Sequence, residues 1–474
     1  MWARWTAAAL AVAAVGAGLL AGGQPGASAG AGAPPNVLVV MTDDQRADDM
    51  DVMADTRRLL GRAGTTFTES FATFPLCCPS RATYVTGMYA HNHAIRDNTP
   101  PEGGAEVLRD TGLEASSVAV ALQDAGYRTG WFGKYVNGYA RLALEDPPYI
   151  PPGYDDWRPG FGGRLYNWRQ LVGGTLRHWG NESRDYQTDV LARQASGFVE
   201  RAALKAQPFF LTVAPYAPHG ELRKFDAKRN PRPAVRHRKA FRDDPLPRPP
   251  SFNEADVSDK PSAIQERPRL NRVERQRIRR HNNDRRASLL AVDDLVERVI
   301  ARLSQVGTLD NTLVIFTSDN GYLMGEHRIP GGKDQPYEPA ARVPLLVRGP
   351  GIPARREVGA LVGNIDLAAT IYAAAGVDPL LEQDGVSLFD VAGNPAAYDE
   401  RDLLIETRGG VALRTPDFLY SERGAPATEF ELYDLDRDPD QLESLHARAA
   451  YQDERAELAA RLDDLRDCEG DACR

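Results

Sequence analysis

Asn36-Val37-Leu38-Val39-Val40-Met41 is an apolar run, and Thr42-Asp43-Asp44-Gln45 follows it without a break. After Asn36 nothing polar alternates within the run, so both faces of an extended segment here are apolar. That is the pattern of a parallel strand covered by helices on both sides. Similar runs recur at residues 129–133, 209–214, 312–317 and 344–347. Helical stretches lie between them. Residues 115–125 and 189–203 are two. The clearest is 287–306, where Leu289, Leu290, Val292, Leu295, Val299, Ile300 and Leu303 are spaced for one buried face. Alternating strands and helices predict an open α/β sheet. Ligands in such sheets bind beyond the carboxyl ends of the strands. The polar clusters that follow the runs are therefore where chemistry is expected.

The chain has 474 residues. Roughly 100–200 residues make a domain, which leaves room for a large domain over 36–377 and a smaller α+β domain over 378–474. The small domain is expected from short strands at 403–406, 411–414 and 431–435 and a helix at 452–466. A hydrophobic share of 42% excludes a disordered chain. A net charge of -9 argues against a nucleic-acid binder. Residues 221–286 differ in character, being rich in Arg and Pro, with basic runs at 236–239 and 277–280. They read as a long irregular solvated insertion, or as a cationic rim that attracts a polyanion.

The amino terminus reads as an export signal. Arg4 precedes an apolar run over 7–20, and Ala27-Ser28-Ala29 offers an A-x-A cleavage pattern, so residues 1–29 are expected to be removed. A membrane anchor is the alternative, but the run falls short of the ~20 residues needed to span a bilayer. Secretion without a stable membrane anchor is thus the expectation. In an oxidising compartment Cys468 and Cys473 are expected to pair and pin the carboxyl terminus. Cys77 and Cys78 are adjacent, and neighbouring residues seldom bond to each other. A chemical role has to be considered for at least one of them.

Cys77-Cys78-Pro79-Ser80-Arg81 continues into Ala82-Thr83-Tyr84-Val85-Thr86-Gly87. This closely resembles the signature of the formylglycine-dependent (type I) sulfatases, in which the first cysteine of C-x-P-S-R is oxidised to an aldehyde. Only Cys77 has proline two residues on and arginine four residues on, so Cys78 takes the variable position. The resemblance implies an alkaline-phosphatase-like mixed sheet sandwiched by helices, with a smaller C-terminal α+β domain. It also implies a formylglycine-generating enzyme as a partner during maturation. The hydrated aldehyde carries two hydroxyls on one carbon. One attacks sulfur and expels the alcohol; the other then loses its proton and releases sulfate as the aldehyde reforms. One hard displacement becomes two easier ones. Arg81, one helical turn on, would orient the hydrate and neutralise developing charge.

Acidic and amide oxygens gathered from two strand ends, Asp43-Asp44 and Asp319-Asn320, suit a hard divalent cation. They match the family's metal ligands, together with the modified Cys77. Calcium is what the resemblance implies, and oxygen ligands leave magnesium open. Basic charge in this chain is nearly all arginine, so each lysine stands out. Lys134 follows Trp131-Phe132-Gly133, and Lys333 lies in Gly331-Gly332-Lys333-Asp334. The matching family lysines contact the aldehyde and the sulfate. His219, in Ala217-Pro218-His219, matches a histidine that bonds the sulfate and helps protonate the leaving oxygen.

One departure stands out. Many sulfatases carry a histidine two residues after the first lysine, whereas Lys134-Tyr135-Val136-Asn137 has none. Asn137 can hydrogen-bond the hydrate but is no base at neutral pH. The Gly-Lys-Tyr-x-Asn form, the Cys-Cys-Pro-Ser-Arg form and Ser318-Asp319-Asn320-Gly321-Tyr322 look most like the N-acetylglucosamine-6-sulfatase branch. The expected substrate is a sulfated sugar, such as 6-sulfated glucosamine. Two rivals are weighed: a phosphonate monoester or phosphate diester hydrolase with the same nucleophile, and a non-catalytic sulfated-glycan-binding protein that leaves Cys77 a thiol. His91 and His93 are expected in pocket or structural roles. Asn181-Glu182-Ser183 is a glycosylation sequon whose use depends on the host.

Overall fold

The structure, a computed structural model, describes residues 33–223 and 226–474. The export-signal reading of residues 1–29 lies outside them. Residues 34–474 form one compact unit. Its centre is a ten-stranded mixed sheet built from β1 (Asn36–Thr42), β2 (Thr65–Phe67), β3 (Arg128–Gly133), β4 (Asp156–Phe161), β5 (Trp168–Val172), β6 (Thr175–Trp179), β7 (Phe209–Ala214), β8 (Thr312–Ser318), β9 (Leu345–Arg348) and β10 (Arg356–Val358). The spatial order is β10-β2-β9-β8-β1-β7-β3-β4-β5-β6. The five central strands from β8 to β4 run parallel. Three of them, β8, β1 and β7, are buried along their whole length. They are the ones whose runs carry no alternation. Apolar residues on both faces need cover on both faces, and helices supply it.

One face is covered by α1 (Cys77–Thr86), α2 (Val118–Asp124) and α5 (Asp366–Ala375), whose side chains join Val37, Val39 and Met41 in one apolar cluster. The other is covered by α3 (Gln187–Leu204) and α4 (Arg272–Gln305), packed on Leu38 and Val40. The one-residue alternation of β1 thus feeds two separate cores.

Two expectations need correction. Residues 344–347 were read as another parallel strand, yet β9 runs antiparallel to β8. A short apolar run carries no information about direction. The Arg/Pro-rich segment is not irregular throughout, because α4 begins at Arg272 and carries the 277–280 run. Its start is set by Asn271. The Asn271 carboxamide accepts from the N–H groups of Val273 and Glu274, and Glu274 returns a bond to the Asn271 N–H at 2.7 Å. This capping box is worth about 1 kcal/mol. It outweighs a first stretch with little apolar periodicity.

The carboxyl-terminal part forms a four-stranded antiparallel sheet of β11 (Leu403–Thr407), β12 (Gly410–Arg414), β13 (Phe418–Arg423) and β14 (Glu429–Asp434). It is backed by α6 (Gln452–Arg466), whose Leu458 and Leu462 are buried against it. β13 was not anticipated. A Cys468–Cys473 disulfide follows α6.

Candidate active site

Cys77 is the first residue of α1. Leu76 before it is extended and has no capping side chain. The Asn98 carboxamide oxygen accepts from the Cys78 N–H at 2.9 Å instead, satisfying one orphan donor of the first turn. Starting the helix here turns the two cysteines apart. Cys78 belongs to the apolar core, where its sulfur accepts from the Gly104 N–H. Cys77 Sγ lies 3.4 Å from Asp43 Oδ1 and contacts the Lys333 ammonium. At its other end α1 stops on Gly87, which is left-handed at φ 76°. A Cβ at that position would also strike the Gln383 side chain.

All the residues singled out at the strand ends converge on Cys77. The loop after β1 brings Asp43 and Asp44. The loop after β8 brings Asp319 and Asn320, and those two loops are laced together. The Asp44 N–H donates to Asp319 Oδ1 at 3.0 Å, and the Gln45 N–H donates to Ser318 Oγ at 2.9 Å. Asp44 sits at φ 67°, a conformation unusual for a residue with a side chain. Asn320 Nδ2 donates to Asp44 Oδ1 at 2.8 Å. Lys134, after β3, places its ammonium 2.8 Å from Asp43 Oδ2 and 3.6 Å from Asp319 Oδ2. Arg81 donates from Nε to Asp319 Oδ2 at 2.9 Å and from Nη1 to the Lys134 carbonyl at 2.8 Å. The Lys333 ammonium contacts Asp44 Oδ1 as well as Cys77. His219, after β7, has Nδ1 on the Gly220 carbonyl at 2.6 Å and Nε2 3.6 Å from Asp44 Oδ2.

Depth sorts these groups. Asp43, Arg81, Asp319 and Asn320 are fully buried, and Asp44 and Cys77 nearly so, whereas Lys134 and His219 keep 8% and 6% exposure. The lysines and the histidine therefore stand between solvent and the floor. Burial pushes the Cys77 thiol up to about 12, with Lys134 and Lys333 pulling the other way. A thiol held protonated at neutral pH is a weak nucleophile. For Lys333, burial works to lower its pKa, yet Asp44, Cys77 and Asp43 hold it well above the ordinary lysine value. It stays charged.

The floor also suits a cation. One ligand atom each of Asp43, Asp44, Cys77 and His219 lie within 4.8 Å of one another. Asp43 Oδ2 is buried and receives no aligned hydrogen bond; its nearest charge is the Lys134 ammonium. The two carboxylates of this group, one of them under-satisfied, suit calcium or magnesium, whereas the thiol and the imidazole are softer donors. Asp319 stands apart in this grouping, since both its oxygens already serve Arg81 and the Asp44 N–H.

His91 and His93 lie outside the site. His93 bridges Thr83 and the Ile95 N–H, and burial drops its pKa to about 3, so it is a neutral structural group. His91 stacks on Tyr89 and reaches the Cys468 carbonyl. Asn137 Oδ1 is buried and has no hydrogen-bond partner among the described residues. Two supporting residues escaped the sequence reading. Arg285 of α4 is fully buried, donates from Nη2 to the Asp44 carbonyl and to Asp49 at 3.2 Å, and lies over the Tyr322 ring. It fastens the left-handed Asp44 in place. In the sequence it is one arginine among many, and no spacing marks it. Asn98, the cap at Cys78, lies in a turn with no signature of its own.

The sequence matches the Sulfatase family over residues 35–377. The chain belongs to the sulfatase family. It is 32% identical to human N-acetylglucosamine-6-sulfatase, over 93% of this chain and 86% of that protein. It is 34% identical to the extracellular sulfatase SULF-1 homolog of Drosophila melanogaster over 79% of this chain, but spans only 33% of that longer protein. Among solved structures, one determined in complex with its substrate D-glucosamine-2-N,6-O-disulfate superposes with a TM-score of 0.76 at 23% identity, covering 91% of this chain and 97% of the other. That likeness establishes the shared fold, the helix-sandwiched mixed sheet of the family.

Proposed function

We propose that this sulfatase-family chain hydrolyses sulfate esters of a sugar, with 6-sulfated N-acetylglucosamine as the favoured substrate, using formylglycine made from Cys77. The observation that carries this reading is the placement of Cys77. It lies on the floor of a site whose solvent-facing groups are Lys134, Lys333 and His219. The choice of sugar rests on the human relative's name and on the substrate of the structural neighbour. Residues 36–377 are the catalytic domain in this reading, and 378–474 the small one. Secretion is supported by the extracellular fly relative and by the Cys468–Cys473 disulfide. Among the described residues no helix is long and apolar enough to cross a membrane. A formylglycine-generating enzyme is the required partner before catalysis.

Charge counting favours a cation. The carboxylates of Asp43, Asp44 and Asp319 balance the charges of Arg81, Lys134 and Lys333, three against three. An entering sulfate ester then meets no net positive charge. Asp43, Asp44, Asp319, Asn320 and residue 77 would hold calcium or magnesium, with Asp319 sharing its oxygens with Arg81 and the Asp44 N–H. The ion, when bound, supplies Lewis-acid charge to the ester. The chain's own groups do the rest. Arg81 fixes the α1 amino terminus against Asp319 and orients residue 77. Lys134 and Lys333 bind the anionic oxygens. The Nδ1–H of His219 is committed to the Gly220 carbonyl, which leaves Nε2 as the nitrogen facing the site. From there the imidazolium delivers a proton to the leaving alcohol oxygen. His219→Ala is therefore expected to lower kcat by about 10²–10⁴-fold with an unchanged melting temperature. A comparable fall in both would make it a structural residue.

The direct test is peptide mass spectrometry across Cys77 on protein from the native host, with a panel of aryl sulfate, phosphonate monoester and phosphate diester. Conversion to the aldehyde and higher kcat/KM on the sulfate are expected. Full turnover by a protein that carries an unmodified thiol would overturn the nucleophile, and preference for the diester would overturn the substrate class.

A further inference from the structure

Part of the basic charge of the Arg/Pro-rich segment is tied off. Arg236 pairs with Asp189 and Asp294, and Arg286 with Asp51 and Asp244. The 221–286 segment is thus a poor cationic rim at those positions. A separate concentration of positive charge lies along the edge of the large sheet at β2, β9 and β10. A groove of about 1550 Å³ opens there, and it shares no residue with the site around Cys77. Its wall carries seven arginines, including Arg57, Arg62, Arg355 and Arg356, against the four acids Asp48, Asp55, Glu338 and Glu357. The local balance, seven minus four, is positive in a chain whose net charge is -9.

Pairing sharpens the contrast. Arg46 is bonded to Asp48, Arg58 to Asp55, and Arg342 to Glu69. Arg57 donates to the Asp51 carbonyl and forms no ion pair among the described residues. Arg62, Arg355 and Arg356 form no ion pair among the described residues, and the first two are exposed. Guanidinium groups are planar forks of donors that match sulfate and carboxylate oxygens and are weakly hydrated. Several of them lining one groove without acidic partners make a wall suited to anions.

We propose that this groove is a second binding site for a polysulfated glycan chain, which holds the polymer while a sulfate ester of the same or another chain is presented to Cys77. The assignment of the polymer rests on the proposed sulfatase activity; the anion-binding wall does not. Exposed arginines arranged this way attract a polyanion through released counterions, so binding weakens as salt rises.

The test uses the full chain with Cys77→Ala, so that binding is read without turnover, and size-fractionated heparin oligosaccharide as the probe. The substitutions are Arg62→Ser, Arg355→Gly and Arg356→Ser together. Glycine suits position 355, which sits at φ 55°. The triple variant should bind heparin at least about tenfold more weakly at low salt, with a flatter dependence on salt. In the Cys77-containing background the same three changes should leave kcat/KM on a small aryl sulfate unchanged and raise KM on the sulfated polymer. Unchanged heparin affinity would overturn the proposal. So would an equal loss of affinity for duplex DNA of matched charge, since that marks a generic polyanion surface. Arginine-dependent heparin binding in a protein that hydrolyses no sulfate ester would support the groove while removing the sulfatase reading.

Discussion

Cys77→Ala should abolish turnover, by roughly 10⁴-fold or more, and leave the chain folded. Cys77 Sγ touches polar groups, namely Asp43, Asp44 and Lys333, and is absent from the apolar clusters. Its loss removes little buried apolar contact. Lys333 keeps its ion pair with Asp44, so no buried charge is stranded. The stability change should stay within about 1–2 kcal/mol. Cys78→Ala is the matched control one residue away. Cys78 packs in the core and accepts from the Gly104 N–H, so its truncation should cost about 1–2 kcal/mol. Turnover should largely survive, because its sulfur faces away from the site. The pair is read by kcat alongside thermal melting. Persistent turnover in Cys77→Ala would end the nucleophile assignment. Total loss in Cys78→Ala would mean that the register of the motif is wrong.

The legibility of this fold follows from where information sits in the chain. β1, β7 and β8 are buried on both faces, so their sequences are unbroken apolar runs and their boundaries lie within a residue of the expected ones. β5 and β6 form an antiparallel extension with exposed positions. Neither was anticipated as a strand: Thr175–Trp179 is almost wholly exposed, and Trp168–Val172 buries residues that include the polar Gln170, so neither carries an unbroken apolar run. Strand direction escaped at β9 for a different reason, since a short buried apolar run looks the same in either direction. Helix α4 was found from Ala287 on, where Leu289, Val292, Leu295 and Val299 face the core. Its first turns are held by a cap and by polar contacts, which leave no apolar stripe.

The site divides in the same way. Groups at strand ends follow apolar runs, so Asp43, Lys134, His219 and Asp319 could be located by position. Arg285, which reaches in from a helix flank with no motif around it, could not. Arg285 acts through the Asp44 carbonyl, and a bond to a backbone atom leaves no residue pattern behind.

The second large effect is expected at Arg81, where stability and catalysis can be pulled apart. Arg81 and Asp319 are both fully excluded from solvent and bonded at 2.9 Å. Arg81→Met removes one charge and strands the other. The Asp319 carboxylate would keep the Asp44 N–H and a Lys134 ammonium 3.6 Å away, too little to replace a guanidinium. Stranding a buried charge costs about 3–5 kcal/mol. Turnover should vanish as well, because the Nη1 bond to the Lys134 carbonyl fixes the lysine that faces solvent. Adding Asp319→Asn removes the stranded charge at nearly constant shape. The double variant should therefore regain much of the lost stability, since removing both members of a buried pair is far milder than removing one. It should not regain turnover. Urea unfolding and kcat on an aryl sulfate, measured across the four members of the cycle, separate the two roles. Recovery of both in the double variant would reduce Arg81 to a counter-charge for Asp319. A single-variant loss below about 1 kcal/mol would mean that the pair behaves as a solvated one. Arg81→Lys completes the argument. It keeps the charge but not the fork, so it should protect stability better than Met while leaving the Lys134 carbonyl unbound and the rate low.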